Sequence, residues 1–309
     1  CIMSPCTGMD VSTVLAEEAV DIQNPWVVEE DGCQYICYNI VNFGSYPQSD
    51  VTGDTSDPIK WRVMSVEDDR VLLWADSILD YQKFDVSASD SRCWDESDIR
   101  KWLMEDFFET AFDFSEQMSV KSVDHTVVYP EGDKTEVVRD TVFIPEMNEL
   151  YSMIYSGTDR RYLIAEREMA YWRYATAYAH LKLCKSGASD TIKTGYWLRD
   201  AGSQKGIYNY VLLDYNGNDG KTAVYWNSSI DTARYMFGIC PMVYVSRDAL
   251  IRENDTIETL KVVPSDTYDP PYKDVAWVAD NLEKPRLETD AVVGHKVIYD
   301  IVEMGKYPQ

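Results

Sequence analysis

Two stretches of the chain bring together side chains whose chemistry could converge on a ligand. Asp214-Tyr215-Asn216-Gly217-Asn218-Asp219-Gly220 sets side-chain oxygens at Asp214, Asn216, Asn218 and Asp219. The first three imitate the opening of an EF-hand loop, where alternate residues turn hard oxygen ligands onto one calcium ion. The imitation breaks at the sixth position, which is Asp219 and not glycine, and at the twelfth, which is Tyr225 and not glutamate. A β-hairpin turn between the apolar runs on either side is the simpler account, because Asn-Gly and Asp-Gly supply the positive φ it needs. The second stretch is Gly195-Tyr196-Trp197-Leu198-Arg199-Asp200. An aromatic face (Trp197), a planar cation (Arg199) and a carboxylate (Asp200) suit a sugar or an anionic group. The competing account is a core strand with Trp197 buried.

Other chemistries are argued down. The histidines are His125, His180 and His295, and neither G-x-S-x-G nor H-E-x-x-H occurs. A nucleophile, base and orienter therefore have no recognisable motif. With 53 acidic residues a carboxylate pair can always be found, so glycosidase chemistry gains nothing from composition. The seven cysteines (Cys1, Cys6, Cys33, Cys37, Cys93, Cys184, Cys240) match no zinc spacing. Cys33 and Cys37 sit four apart in an expected strand, about 13 Å along it, too far to be bridged. The thiols are expected to be mostly free and buried. A formal charge of −24 repels phosphate backbones and anionic headgroups, which excludes nucleic acid as a partner. No run of eighteen apolar residues exists, so no membrane-spanning helix is expected.

The elements that must position these residues read as α+β. Gln34–Phe43, Ile59–Val66 and Arg70–Ala75 are expected strands, the last two joined by a hairpin turn at Glu67-Asp68-Asp69. Ser97 reads as an N-cap. Ile99, Trp102, Leu103 and Phe107 follow at helical spacing and predict a buried helix face against the strand of Trp61 and Val63. A second helix is expected over Pro145–Met153. Tyr196–Arg199, Ile207–Tyr215, Thr222–Trp226 and Met242–Ser246 are expected to form a second sheet region. Hydrophobic residues at 45% allow a substantial core.

The chain also repeats itself. Residues 38–48 read YNIVNFGSYPQ and residues 299–309 read YDIVEMGKYPQ, identical at seven of eleven positions. This predicts one domain over residues 31–263, a proline-rich linker over 264–290 and the start of a second tandem copy over 291–309, its first strand, Lys296–Val302, unpaired. Residues 1–16 read as a signal-peptide remnant ending in the cleavage-like Val14-Leu15-Ala16. A lipoprotein beginning at Cys1 is the rival reading. Either reading implies a secreted or cell-surface protein.

A set of landmarks, taken together and in order, resembles a domain-of-unknown-function family of exported proteins from anaerobic gut Firmicutes. They are Phe43-Gly44-Ser45-Tyr46-Pro47-Gln48; Pro58-Ile59-Lys60-Trp61-Arg62-Val63; Trp94, Ser97, Ile99, Arg100, Trp102 and Leu103; Arg173, Thr176, Tyr178 and Ala179; Trp197-Leu198-Arg199; and Gly238-Ile239-Cys240-Pro241-Met242. The resemblance implies a C-type-lectin-like mixed fold, remotely similar to formylglycine-generating enzymes, in which the W-L-R and G-x-R-P strands lie close together. The chain departs from the pattern at Asp200-Ala201, usually Ser-Pro, and at Cys240, usually Arg. An oxidase of that enzyme type would need two thiols on copper, with Cys184 and Cys240 the candidates by elimination. The expected function is a non-catalytic extracellular module binding a glycan or protein ligand. The alternatives are an accessory or spacer domain of a larger exported enzyme and, third, the oxidase.

Overall fold

The computed structural model describes residues 21–30, 33–86, 93–129, 134–146, 149–150, 173–185, 195–201, 207–216, 221–226, 230–231, 236–254, 256–262, 286–290 and 294–298. The chain divides into two units, Cys1–Ser265 and Asp266–Gln309. Residues 1–16, read above as a signal remnant, lie outside the described residues.

The first unit begins with β1 (Trp26–Glu30), β2 (Cys33–Tyr46), β3 (Asp57–Val66), β4 (Arg70–Ala75), β5 (Ser77–Ile78) and β6 (Asp80–Lys83). Helices α1 (Asp98–Trp102), α2 (Phe108–Ala111) and α3 (Phe114–Ser119) follow, with a π-turn over Leu103–Phe107 joining the first two. Next come β7 (Val120–Lys121), β8 (Val123–Val128), β9 (Thr135–Asp140), β10 (Val142–Phe143), β11 (Tyr174–Ala175) and α4 (Ala177–Lys185). The unit closes with β12 (Tyr196–Ala201), β13 (Ile207–Asn216), β14 (Lys221–Trp226), β15 (Ile230–Asp231), β16 (Met236–Ile239), β17 (Met242–Ser246), α5 (Arg247–Glu253) and β18 (Glu258–Val262). The order is α+β, with antiparallel pairing dominant.

One sheet runs β1-β2-β3-β4-β17-β10, with β18 also on β2 and β7 on β17. A second runs β14-β13-β12-β16-β6, with β15 on β13. β2 is the hub of the first sheet. Ile36 and Cys37 pair with Val27 and Trp26 of β1 and also with Val262 and Lys261 of β18. Ile40 pairs with Glu258 of β18 and Arg62 of β3. One edge of β2 thus carries β1 and then β3, while the other carries β18.

The two sheets share a bent ribbon. β4 pairs antiparallel with β17 in the first sheet, and β6 pairs antiparallel with β16 in the second. Between them the Ala75 amide donates to the Pro241 carbonyl at 3.0 Å, and the Leu79 amide to the Ile239 carbonyl at 3.0 Å. Residues 70–83 and 236–246 therefore turn the same corner together. This corrects the expected placing of Met242–Ser246: it belongs to the first sheet, because the chain changes sheets at Cys240-Pro241.

The helix begins where the sequence places it. The Ser97 side chain accepts from the Arg100 amide, and Asp98 occupies the first turn. Ile99, Leu103 and Phe107 are buried, but Trp102 is only half-buried. Adjacent helical residues point about 100° apart, so Trp102 cannot share the centre of the stripe with Leu103. The face also docks differently from expectation. Phe107 meets Tyr46 of β2 (ring centroids 5.1 Å), and Phe112 carries the contact on to Trp61 (6.3 Å). Of the helix expected over Pro145–Met153, residues 145–146 are described and not helical, residues 149–150 are helical, and the Leu150 amide donates to the Glu146 carbonyl.

In the second unit, β19 (Arg286–Asp290) pairs antiparallel with β20 (Gly294–Ile298). The expected strand over Lys296–Val302 thus starts two residues earlier and has a partner, supplied from within the segment read as linker. Residues 299–302 lie outside the described residues.

Candidate functional site

Arg62, Arg173, Gly238 and Cys240, drawn from three of the landmark motifs, lie at the corner of the ribbon. Gly238 must be glycine there: an added Cβ would lie 2.6 Å from Ile78 Cγ2 and 2.9 Å from the Gly195 carbonyl oxygen. That close approach seats β16 beside β12 in parallel, Tyr196 opposite Gly238. The Trp197-Leu198-Arg199 strand and the Gly238-Ile239 strand are therefore neighbours.

Around the corner lies a group of polar side chains in an apolar setting. Arg62 Nε reaches Asp76 Oδ1 at 2.6 Å. The Arg173 guanidinium lies 3.5 Å from the centre of the Trp74 ring and donates from Nε to the Ala75 carbonyl at 2.9 Å. Tyr38, Tyr196 and Cys240 are buried beside them. Burial, aided by repulsion from Arg62, pulls Arg173 down to about 10, which leaves it charged at neutral pH. Burial works to raise Asp76, but Arg62 and then Arg173 outweigh it and hold the carboxyl below its ordinary value. Burial pushes the Cys240 thiol up to about 12, despite both arginines.

Cys240 is consequently a protonated thiol and a poor nucleophile. Two guanidinium charges beside it also disfavour a cation. The groups around Cys240 do not fit a copper centre, and the side chain of Cys184 lies outside the described residues. The carboxylate beside Cys240, Asp76, takes its cation from Arg62.

Arg199 is buried and committed. It donates to the Ile144 carbonyl (2.9 Å) and to Glu149 Oε2 (2.6 Å), and pairs with Glu146 (3.1 Å) and Glu149 Oε1. Trp197 is fully buried, its indole donating to the Gln82 carbonyl at 2.9 Å. Its ring packs edge-on against Phe84 and Phe237. Trp197 therefore offers no face to a sugar, and the core-strand account fits this segment. Asp200 is half-buried.

For the calcium candidate, Asp214 and Asn216 lie on β13 opposite Ala223 and Lys221 of β14. This is the antiparallel register of a hairpin. Asn218 and Asp219 fall outside the described residues. Among the described residues no group of three or more His, Cys, Asp or Glu side chains is placed to hold a metal. No described helix is long and apolar enough to cross a membrane.

Two further polar clusters went unread in the sequence. Asp80 is buried, and accepts from the Tyr46 hydroxyl (2.8 Å), from Lys182 Nζ (2.6 Å to Oδ1) and from the Tyr81 amide (2.6 Å). Burial, then Asp80, pushes the Tyr46 phenol well above its usual range, so it acts as a fixed donor. The signal was available: Asp80 stands alone between Leu79 and Tyr81 in an apolar run, where a carboxylate needs a partner. The second cluster centres on His125, buried on β8. Its ring meets Phe143 edge-on at 4.5 Å, and its Nε2 has no hydrogen-bond partner. Burial, then Arg199, lower it to about 4, so the imidazole is neutral at pH 7.

Four other landmark residues are likewise held by internal bonds. Trp61 donates to the Phe43 carbonyl (2.7 Å), Trp94 and Arg100 both grip Asp140 (2.9 and 2.6 Å), and Gln48 donates to the Asp57 and Pro58 carbonyls. No curated protein and no solved structure matches this chain. The family model described as Domain of unknown function (DUF6273) matches residues 68–242, more than half of the chain, and the chain belongs to that family.

Proposed function

We propose that the chain is a non-catalytic extracellular surface module, of C-type-lectin-like architecture, that binds a glycan or a protein. One observation carries the reading: the side chains of the recurring landmarks are spent on the scaffold. Tyr46, Trp61, Arg62, Trp94, Arg100, Trp197 and Arg199 each bond within the domain. A scaffold specified this closely, with recognition left to the surface around it, is how binding modules are built. The adjacency of the Trp197-Leu198-Arg199 strand and the Gly238-Ile239 strand supports the lectin-like part of the reading. The acidic surface suits an exported protein, and repetition in tandem would convert weak contacts into avidity. The scaffold argument also fits a spacer or accessory domain of an exported enzyme.

An array of bacterial and mucosal polysaccharides and extracellular-matrix proteins, probed with the purified chain, tests the proposal. Saturable binding to one ligand class supports the module, and no binding at any spot favours the spacer. Turnover of an ester, glycoside or thiol-peptide substrate that a single substitution abolishes would overturn both.

A further inference from the structure

We infer that residues 286–309 are the opening hairpin of a second copy of this domain, equivalent to residues 25–48. The neighbour that the chain carries for its first domain is then another of the same kind. This inference is independent of what the module binds.

The sequence offset is 309 − 48 = 261. Applied to the first unit, it carries Cys33 to residue 294 and Cys37 to residue 298. Those are the bounds of β20, so β20 coincides with the first five residues of β2. Both strands are the second arm of an antiparallel hairpin. In the first unit Glu30 pairs with Cys33, two residues lying between them in sequence. In the second, Asp290 pairs with Gly294 across three residues. The one extra residue between the arms accounts for the first arm, β19, lying one position earlier than the offset alone would place β1. The strand register and the sequence offset give the same alignment of the two copies.

The pattern of change between the copies follows burial. Four of the eleven positions differ. Asn42 and Ser45 are exposed in the first copy, and their counterparts are the charged Glu303 and Lys306. Buried Phe43 becomes Met304, another large apolar side chain. Asn39, whose Oδ1 accepts from the Gln23 amide at 2.9 Å, becomes Asp300, which keeps an acceptor oxygen.

The retained positions have partners far from the strand itself. Gly44 adopts φ +69°, and a Cβ there would lie 2.5 Å from the Ala111 carbonyl oxygen. Tyr46 serves Asp80, and Gln48 serves the Asp57 and Pro58 carbonyls. Gly305, Tyr307 and Gln309 keep these residue types, which matter only where an equivalent domain surrounds them.

A segment exchange in the full chain tests this. The sequence of residues 294–309 is placed at positions 33–48, with everything else unchanged. From Ile36 to Tyr46 the exchange keeps an apolar side chain at every buried apolar position and an acceptor oxygen at Asn39, so one cooperative thermal transition within about 10 °C of the parent is expected. A second variant carries residues 293–308 at the same positions. That one-residue slip turns each side chain to the wrong face, and no cooperative transition is expected. Failure of the aligned exchange to fold, or equal folding of the slipped one, would overturn the inference.

Discussion

Tyr46, at the end of β2 in the first sheet, donates its phenolic hydrogen at 2.8 Å to Asp80, on β6 of the second sheet. Lys182, from α4, closes the same carboxylate at 2.6 Å. Three elements distant in sequence are thus pinned at one buried anion. Tyr46→Phe removes one donor and leaves Lys182 and the Tyr81 amide in place. A loss of about 1–3 kcal/mol is expected, the range for a hydrogen bond to a charged group. Asp80→Ala should cost more, because it strands the hydroxyl of Tyr46 without its acceptor. Urea unfolding monitored by tryptophan fluorescence measures both. Equal stability of all three proteins would show the network to be dispensable.

Two phenylalanines two residues apart should behave oppositely. Phe112 is 2% exposed, with its ring against Phe43, Trp61, Phe107 and Phe108. Phe114 opens α3 and is 79% exposed. Phe112→Ala is expected to cost about 3–5 kcal/mol, the range for truncating a packed aromatic. Phe114→Ala should stay within about 0.5 kcal/mol. Thermal denaturation of the pair checks the helix packing, and a large cost at Phe114 would mean that something covers it.

The contrast shows which parts of the fold were legible from sequence and which were not. β4 and β17 were readable to the residue, and the helix start at Ser97 was too, because alternation and capping are local signals. The sheet to which β17 belongs was not readable. That depends on a corner at Cys240-Pro241 held by hydrogen bonds to Ala75 and Leu79, far away in sequence. β18 was missed for the same reason: its pairing with β2 spans more than two hundred residues. At the candidate site, Trp197 and Arg199 read from sequence as candidate ligand contacts. Their commitment to Gln82, Glu146 and Glu149 could not be seen without the fold.

His125 makes stability depend on pH in a defined window. Burial and Arg199, with Arg100 adding, lower its pKa from 6.5 to about 4, while Glu149 and Asp140 pull the other way. In the unfolded chain the ring protonates near its ordinary value, so between those limits the unfolded state binds more protons. Stability from this group is complete above about 6.5, declines as pH falls and is gone below about 4. The most it can supply is about 3 kcal/mol, from 1.36 kcal/mol per pKa unit. Carboxylates also titrate here, so the measurement is the difference between the parent and His125→Phe. From pH 7 to pH 4.5 the parent's unfolding free energy should fall relative to the variant's, the variant being the less pH-sensitive protein. Parallel pH profiles would mean that His125 titrates normally.

The stretch matched by the family model, residues 68–242, should not fold as an independent piece. It begins after β3 and ends at the first residue of β17. Cutting there removes β2, which bridges β1, β3 and β18, and strips β4 of β3 on one edge and of all but Met242 of β17 on the other. The buried side chains of Tyr38, Val41, Phe43, Ile59, Trp61 and Val63 leave with it. At about 2–5 kcal/mol for each large core side chain, their loss exceeds the roughly 5–15 kcal/mol by which a domain is stable. Asp76 would lose Arg62, and Asp80 would lose Tyr46, leaving two carboxylates short of partners. Residues 21–262 retain all of these contacts. The longer piece is expected to melt in one cooperative transition with a structured near-UV dichroism spectrum, and the shorter one to show neither. A cooperative melt from residues 68–242 alone would mean that β1–β3 and β18 decorate the domain and do not complete it.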